Sequence, residues 1–371
     1  MTQVANAKTS FVPTSTIRLE GVIRTLSPLQ HFWRQEKPDG KSLVLACMKT
    51  KLPLDENPAA IIPYYSGNAL RGILRDALAT QIVSKVGPLP KDTFQLLYSG
   101  GRIDKIKENG GNNGNGSEEG GEEASSAAKK KGKKVAQATA EDTENRITPE
   151  NERRLRERNV VVGLLGGGLG KRIISGRLNV MQAWPICSAT VEAGLIPDRI
   201  RQMAGMEDDE KLMNPGDLVT EFQMTRFDDL RRRPSEFALD KNEELKVMGA
   251  AVDKDNKDDG RGMVFTVEAI AAGVSLCSQL YLVNTNDAEV GALLAAIERF
   301  GNAPFLGGSS SAGFGLVDMT YDLCENGTRV KEAIKIQAGS VQIDPSLDRY
   351  RQAFNAYLDK VSLEDFAPKL S

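Results

Sequence analysis

The sequence has little histidine and little cysteine. His31 is the only histidine, so a Ser-His-Asp triad would have to use this one imidazole, and a site with several histidine ligands is excluded. The four cysteines, Cys47, Cys187, Cys277 and Cys324, are far apart and form no CxxC pair. This spacing argues against zinc and indicates small buried side chains in a reducing compartment. We therefore expect no metal, no bound cofactor and a cytoplasmic location.

Long apolar runs and an excess of one charge are also missing. No run of about 18 or more apolar residues occurs, and the N-terminus lacks the apolar core of a signal peptide. The 48 Lys and Arg residues nearly balance the 50 Asp and Glu residues. Total charge therefore does not predict a nucleic-acid-binding protein, and only a local cluster of cations would do so. With 371 residues, the chain could form one large domain or two ordinary ones.

Glycine is abundant, with 35 residues, and one glycine-rich loop stands out. Residues 307–315 contain four glycines and three serines. An apolar helix over 287–300 precedes this loop, and a strand over 313–323 includes its last residues and continues beyond it. Its backbone N–H groups are open to a phosphate or to another backbone. Two interpretations stay open: a tightly packed helix-to-strand turn, or a phosphate-binding loop.

A helix over 67–84 is the second candidate site. Ser66 is a plausible N-cap, and Asn68, Arg71 and Arg75 share one helical face by their spacing. A helix start with free N–H groups and two arginines on one face suits an anion. The alternative is the solvated face of an ordinary amphipathic helix.

The segment 163–171, GLLGGGLGK, resembles a nucleotide-binding loop but fails both patterns. Leu165 stands where the phosphate loop needs glycine, and Arg172 stands where it needs Ser or Thr. Lys171 replaces the third glycine of the dinucleotide pattern. What remains is a flexible turn beside Lys171, Arg172 and Arg177.

The predicted elements form a duplicated pattern of strand, helix and strand. The first half is 15–24, 67–84 and 173–183, and the second half is 274–283, 287–300 and 313–323. This order predicts an α+β fold with a ferredoxin-like (RRM-like) β-α-β-β-α-β core and large insertions. We further expect a hairpin between 263–270 and 274–283, because Ala-Ala-Gly joins them. The proline-rich segment 51–65 is expected to be irregular.

The insertions divide the chain as follows. The predicted units are 1–90 (first half of the core), 91–172 (an insertion with a low-complexity, disordered loop at 109–140), 173–183 (a core strand), 184–260 (a basic, thumb-like insertion), 261–330 (second half of the core with the glycine-rich loop) and 331–371 (a C-terminal helical tail).

Three stretches resemble the RAMP superfamily of CRISPR proteins, and they occur in that superfamily's order. Residues 62–75, IPYYSGNALRGILR, resemble its I-P-G-S-S-L-K-G-x-x-R helix start, and residues 305–315, FLGGSSSAGFG, resemble its glycine-rich signature. Thr225 and Arg226 resemble the T-x-I-D-R region of the backbone subunits. One core with a long insertion is similar to those subunits rather than to the repeat-cutting ribonucleases. The sequences RFDD at 226–229 and LLGGG at 164–168 are most similar to the type IV group.

The resemblance implies a non-catalytic subunit that polymerises along guide RNA (crRNA). Such a subunit binds the phosphate backbone and presents spacer bases to target DNA or RNA, and its partners are further copies and other effector subunits. The RNA-binding residues implied by the resemblance and by the basic clusters are Ser66, Asn68, Arg71, Arg75, Lys171, Arg172, Arg177, Arg226, Arg231, Arg232, Arg233, Gly307, Gly308, Ser309, Ser310 and Ser311.

The alternative is a RAMP-type endoribonuclease that cuts target or repeat RNA. Asp39, Asp55 and His31 are its only candidate catalytic residues, and no nucleophile, base and orienting group can be assembled from them. We therefore predict no catalytic residue.

Overall fold

The computed structural model describes residues 15–37, 43–54, 59–101, 148–169, 172–226, 263–337 and 339–366. The strands are β1 (Ser15–Thr25), β2 (Phe32–Glu36), β3 (Leu43–Cys47), β4 (Lys49–Leu52), β5 (Ala60–Pro63), β6 (Gly167–Leu169), β7 (Arg172–Ile174), β8 (Leu178–Val180), β9 (Trp184–Pro185), β10 (Val219–Arg226), β11 (Met263–Ile270), β12 (Ser275–Thr285), β13 (Val317–Glu325), β14 (Thr328–Gln337) and β15 (Ser340–Ile343). The α-helices are α1 (Gly67–Val86), α2 (Lys91–Ser99), α3 (Pro149–Arg158), α4 (Val160–Leu165), α5 (Ser188–Glu192), α6 (Asp198–Met203), α7 (Asp287–Gly301) and α8 (Asp348–Leu358).

The main sheet has the strand order β15-β14-β13-β1-β12-β8, with β9 also paired to β12. Every pairing in it is antiparallel. The four strands β13, β1, β12 and β8 follow the 4-1-3-2 order of a ferredoxin-like β-α-β-β-α-β unit, with α1 and α7 as its two helices. The expected α+β fold with this core is confirmed.

The two helices cover one face of the main sheet. β1 presents Ile17, Leu19 and Ile23 to the largest buried core, and α1 contributes Leu74 and Leu78 at helical spacing. The N-terminus of each helix is fixed by capping residues close to it in the sequence. Ser66 caps α1, and Asn286 with Glu289 forms the predicted capping box of α7.

The other face of the sheet is covered in part by residues 184–212. Val22 and Cys277 pack there against Ile186, Ile196 and Ile200. Beside them lies Glu20, which is 1% exposed and is paired with Arg18, Arg199 and Arg329. This face of the core is therefore not an open platform of the kind that many RNA-binding modules use.

A second sheet has the order β10-β11-β3-β2. β10 and β11 are antiparallel, β11 and β3 are parallel, and β2 is the outer strand next to β3. Val267, Ala269 and Phe314 form a small core under this sheet. Residues 227–262, which include the last part of the predicted thumb-like insertion at 184–260, lie outside the described residues, and so does the low-complexity segment 109–140.

Two predictions about β-strand pairing are wrong. Residues 263–270 and 275–285 do not form a hairpin, because β11 joins the second sheet and β12 joins the main sheet. The turn that joins β11 to β12 contacts β1 instead: the Thr25 hydroxyl lies 2.8 Å from Ala271 O and 3.1 Å from Val274 O. The predicted strand 173–183 is also split. β7 pairs with β6, and only β8 pairs with the main sheet.

Two local predictions are wrong as well. Residues 49–52 and 60–63 form the antiparallel pair β4 and β5 rather than irregular structure, since Pro53 follows the first strand and Pro63 ends the second. Residues 160–165 form the buried helix α4, and 167–169 form β6, instead of a flexible turn. After residue 331 the chain first completes β14 and forms β15, and α8 follows.

Candidate nucleic-acid interface

The start of α1 is held in place by three side chains. The Ser66 hydroxyl accepts a hydrogen bond from Ala69 N–H, as an N-cap should. Ser66 N–H donates to His31 Nε2 at 3.1 Å, and Gly67 N–H donates to Gln182 Oε1 at 2.8 Å. A Cβ at Gly67 would lie 2.2 Å from Val180 O, so the helix can approach β8 only with glycine there.

His31 serves this helix start rather than acting as an available base. The imidazole is buried and lies 4.6 Å from the Tyr65 ring, centroid to centroid. Burial lowers the pKa of His31, and Nε2 accepts the Ser66 N–H, so the neutral ring carries its proton on Nδ1. The lone pair that a general base would use is therefore occupied. Asp39 and Asp55 lie outside the described residues.

The glycine-rich loop is anchored at both ends. Gly307 N–H donates to Tyr65 Oη at 3.2 Å, and Gly308 N–H donates to Gln30 O at 3.0 Å. Gly315 N–H donates to Pro28 O at 2.8 Å at the other end. A Cβ at Gly307 would lie 2.1 Å from Gln30 O, and its φ is +75°, so glycine is required by both space and backbone conformation.

The three serines occupy the tip of this loop. Ser309 has a left-handed φ of 59° and donates its hydroxyl to Gln30 Oε1 at 2.6 Å. Ser310 and Ser311 lie on a single 3-10 turn and are exposed. The tip thus presents two hydroxyl groups to solvent on a loop whose ends are fixed.

The helix start and the glycine-rich loop meet in space. Tyr65 and Gly307 are 242 residues apart in the sequence, and the hydrogen bond between them joins the two segments. Gln30 and His31 are consecutive residues, and they contact the loop and the helix start respectively. We call this region the α1–loop site. It comprises Gln30, His31, Tyr65, residues 66–68 and residues 307–311.

A cavity of about 610 Å³ continues the site along α1. Asn68, Arg71 and Arg75 line it from the helix. The opposite walls contain six glycines, Gly100, Gly101, Gly166, Gly167, Gly168 and Gly176, together with the apolar residues Leu165, Ile173, Ile174 and Leu178. The three polar residues of α1 therefore share one face, as their spacing predicts, and this face borders a cavity rather than open solvent alone.

The two arginines of this face have different surroundings. Arg75 is 9% exposed, and its guanidinium donates to Leu165 O at 2.6 Å, Gly166 O at 2.9 Å and Leu96 O at 3.4 Å. Burial, with the nearby charge of Arg71, lowers the pKa of Arg75 to about 10. The group stays protonated at neutral pH, but its donors serve backbone carbonyls.

Arg71 is only partly buried and retains a free donor. Its Nη2 also donates to Leu165 O, and burial lowers its pKa. Arg71 Nε has no hydrogen-bond partner among the residues that the structure describes. Because Arg71 lines the cavity, its guanidinium is the charged group of this face that an anion there would meet.

Among the other predicted basic residues, Arg177 has a described side chain, and it is engaged inside the fold. Arg177 donates through Nη1 to both carboxylate oxygens of Glu289 at 2.8 Å, and Glu289 is 1% exposed. The positive charge of Arg177 is therefore paired with a carboxylate inside the fold. Arg172 and Arg226 belong to β7 and β10. Lys171 and 231–233 lie outside the described residues.

Sequence reasoning missed Gln30 and Tyr65 of the site, and Gln182, which contacts it. Gln30, Tyr65 and Gln182 hold the loop and the helix start by hydrogen bonds. A glutamine in a loop carries no sequence pattern that would single it out. Tyr65 directly precedes the N-cap, and that position was its only signal.

Within the described ranges, no three His, Cys, Asp or Glu side chains gather in a way that could hold a metal ion. In the same ranges, no helix combines the length and apolar character needed to cross a membrane.

Comparison with known proteins finds similarity in structure but not in sequence. The sequence matches no protein-family model and no curated protein. Among solved structures, a chain described as "Type IV-B CRISPR Complex" is similar, with a TM-score of 0.45 and 18% sequence identity. The alignment covers 82% of this chain and 90% of that chain.

Proposed function

We propose that the chain is a backbone subunit of a CRISPR effector complex, most similar to the type IV group. It binds guide RNA along the phosphate backbone and presents the spacer bases for pairing with target nucleic acid. One observation carries this proposal. The two stretches that resemble RAMP signatures, far apart in sequence, lie together at the α1–loop site through the hydrogen bond from Gly307 N–H to Tyr65 Oη.

The chemistry of the α1–loop site fits a phosphate backbone better than base edges. The site offers the positive end of a long helix, the exposed hydroxyls of Ser310 and Ser311, and the Arg71 guanidinium. Such donors recognise phosphate and ribose oxygens, which every nucleotide carries. A subunit that must hold any guide needs this kind of recognition.

The predicted residues divide into three groups by role. Asn68, Arg71, Ser310 and Ser311 contact RNA. Ser66, Arg75, Gly307, Gly308 and Ser309 position those groups, because their own polar atoms or backbones are engaged inside the protein. Lys171, Arg172, Arg226 and 231–233 supply further phosphate contacts, and Arg177 stabilises the fold through Glu289.

The partners follow from this role. Several copies bind side by side on one guide RNA, other effector subunits bind the ends of that filament, and target DNA or RNA pairs with the exposed bases. The nuclease alternative is not favoured by any contact in the described residues. His31, its candidate base, accepts the Ser66 N–H.

The experiment is coexpression with a CRISPR array, followed by purification and nuclease protection. We expect a ribonucleoprotein whose RNA carries the array's spacer sequence. Titration of the RNA-free protein with single strands of unrelated sequence should give similar affinities that fall with salt. Absence of bound RNA together with no binding at low salt would overturn the proposal.

Arg71→Ala is the site variant, and Lys85→Ala is its matched control. Both remove one cation from α1, but Lys85 lies in the last turn of that helix and pairs with Asp359. We expect Arg71→Ala to weaken binding of every sequence, and Lys85→Ala to bind as the wild type does. Equal effects of the two changes would remove the helix start from the interface.

A further inference from the structure

Two large aromatic side chains at the start of β2 are exposed. Phe32 and Trp33 are each 47% accessible to solvent. β2 is the outer strand of the second sheet, and no described strand pairs with its other edge. An exposed tryptophan is more informative than an exposed leucine, because covering its indole takes a larger apolar area out of water.

Trp33 lies beside the planar guanidinium of Arg34 and near two lysines. The Arg34 guanidinium lies over the indole, 4.2 Å from the ring centroid. Trp33 also lines a cavity of about 300 Å³ together with Lys49, Lys51 and Ile61. Ion pairs join Arg34 to Glu36 at 2.6 Å and Lys49 to Glu268 at 2.8 Å. The cavity thus combines an aromatic face with three cations and two carboxylates, and neither of these two ion pairs includes Lys51.

This cavity is close in sequence and structure to the α1–loop site. Gln30 and His31 bind the loop and the helix start, and Phe32 and Trp33 follow them directly. At 3.2–3.4 Å per residue, Trp33 lies within about two to three residues' length of that site. A single strand held by its phosphates at the α1–loop site can therefore extend a neighbouring nucleotide to the indole.

We propose that Trp33 and Arg34 form a stacking platform for an unpaired nucleobase of the bound single strand. This inference rests on the proposed function, and it adds a base contact to a site that otherwise binds backbone. Aromatic rings and guanidinium planes stack on bases of any sequence, and nearby lysines neutralise the adjoining phosphates. Charge favours this occupant, because a purely apolar protein partner would bury Lys49 and Lys51 at a cost.

The experiment uses the fact that the chain has only two tryptophans. Trp184 is half-buried and lies 5.3 Å from the Tyr64 ring, centroid to centroid. In a Trp184→Phe background, the tryptophan fluorescence comes from Trp33 alone. We expect single-stranded RNA to quench this fluorescence, and an abasic strand of equal length to bind without comparable quenching.

Affinity provides the second measurement. Trp33→Ala should weaken binding of single-stranded RNA about 5- to 150-fold, and Trp33→Phe should lose much less. The abasic strand should bind both variants as it binds the wild type. Phe94→Ala is the matched control, because Phe94 is 50% exposed and stacks on Tyr98. It should leave RNA affinity unchanged.

The possible failures are distinguishable. If the wild type binds RNA but Trp33 fluorescence and the affinity of Trp33→Ala are unchanged, the platform is refuted and the proposed function stands. If the wild type binds no RNA, both are refuted. If Trp33→Ala alters sedimentation of the RNA-free protein while RNA affinity stays the same, Trp33 belongs to a contact between protein copies and the platform is again refuted.

Discussion

Replacing Arg75 and Arg71 separately by alanine should separate a positioning role from a binding role on one helix face. Arg75 donates to Leu165 O, Gly166 O and Leu96 O. After Arg75→Ala, Leu165 O keeps the donor from Arg71, and Leu96 O keeps Gly100 N–H at 3.1 Å. Gly166 O loses the hydrogen bond that Arg75 supplies.

The magnitude follows from these contacts. A hydrogen bond from a charged donor contributes about 1.5–3 kcal/mol, and Arg75 makes two of normal length. Partial replacement by water from the cavity reduces the loss, so we expect Arg75→Ala to lower the free energy of unfolding by about 2–4 kcal/mol. Arg75→Lys should recover only part of this, because an ammonium lacks the planar fork. Arg71 is more exposed, and Arg71→Ala should cost about 1 kcal/mol or less.

In RNA binding the order should reverse, so that Arg71→Ala has the larger effect and Arg75→Ala the smaller one. Each phosphate contact on a single strand contributes about 0.7 to the slope of log K against log salt. Arg71→Ala should reduce that slope by about this amount. Arg75→Ala, measured below its melting temperature, should keep the wild-type slope. Urea denaturation and a salt series of RNA titrations test both. A small stability loss with a reduced slope in Arg75→Ala would refute the assignment of roles.

Two further predictions concern the glycine-rich loop and His31. Gly315 and Gly273 have nearly equal φ values, +85° and +87°, but a Cβ at Gly315 would lie 1.9 Å from Leu306 O, whereas at Gly273 no described atom lies within 4 Å. Thermal denaturation should therefore show that Gly315→Ala destabilises by about 1–3 kcal/mol more than Gly273→Ala, and equal losses would contradict the packing argument. The pKa of His31 is lowered in the folded protein, so the unfolded chain binds the proton more readily. The free energy of unfolding should fall as pH decreases through about 6.5, and His31→Gln should reduce this dependence in urea denaturation between about pH 5 and 8; an unchanged slope would contradict the neutral His31.

Local signals predicted the framework well. The N-cap at Ser66 and the capping box of Asn286 and Glu289 depend on residues three apart, so the sequence contains all of the information needed. The apolar spacing of α1 and α7 likewise depends on neighbouring turns. With these elements in order, the β-α-β-β-α-β pattern followed, and the sheet order agrees with it.

Strand pairing was less predictable, because it depends on distant residues. β11 and β12 look like a hairpin by spacing, yet β11 pairs with β10 and with β3, which lies more than 200 residues earlier. The break between β7 and β8 has the same origin. A Cβ at Gly176 would lie 2.5 Å from Leu164 O, so this turn packs against α4, a contact that no local pattern reveals.

The candidate site illustrates the same limit for charge. Arg71 and Arg75 are one helical turn apart on the same face, and nothing in the local sequence distinguishes them. Both arginines donate to Leu165 O, about 90 positions later, but only Arg75 also donates to Gly166 O and Leu96 O. Arg177 is likewise matched by Glu289, 112 positions later. The sequence therefore identifies a basic residue, but only the fold shows which groups its donors engage.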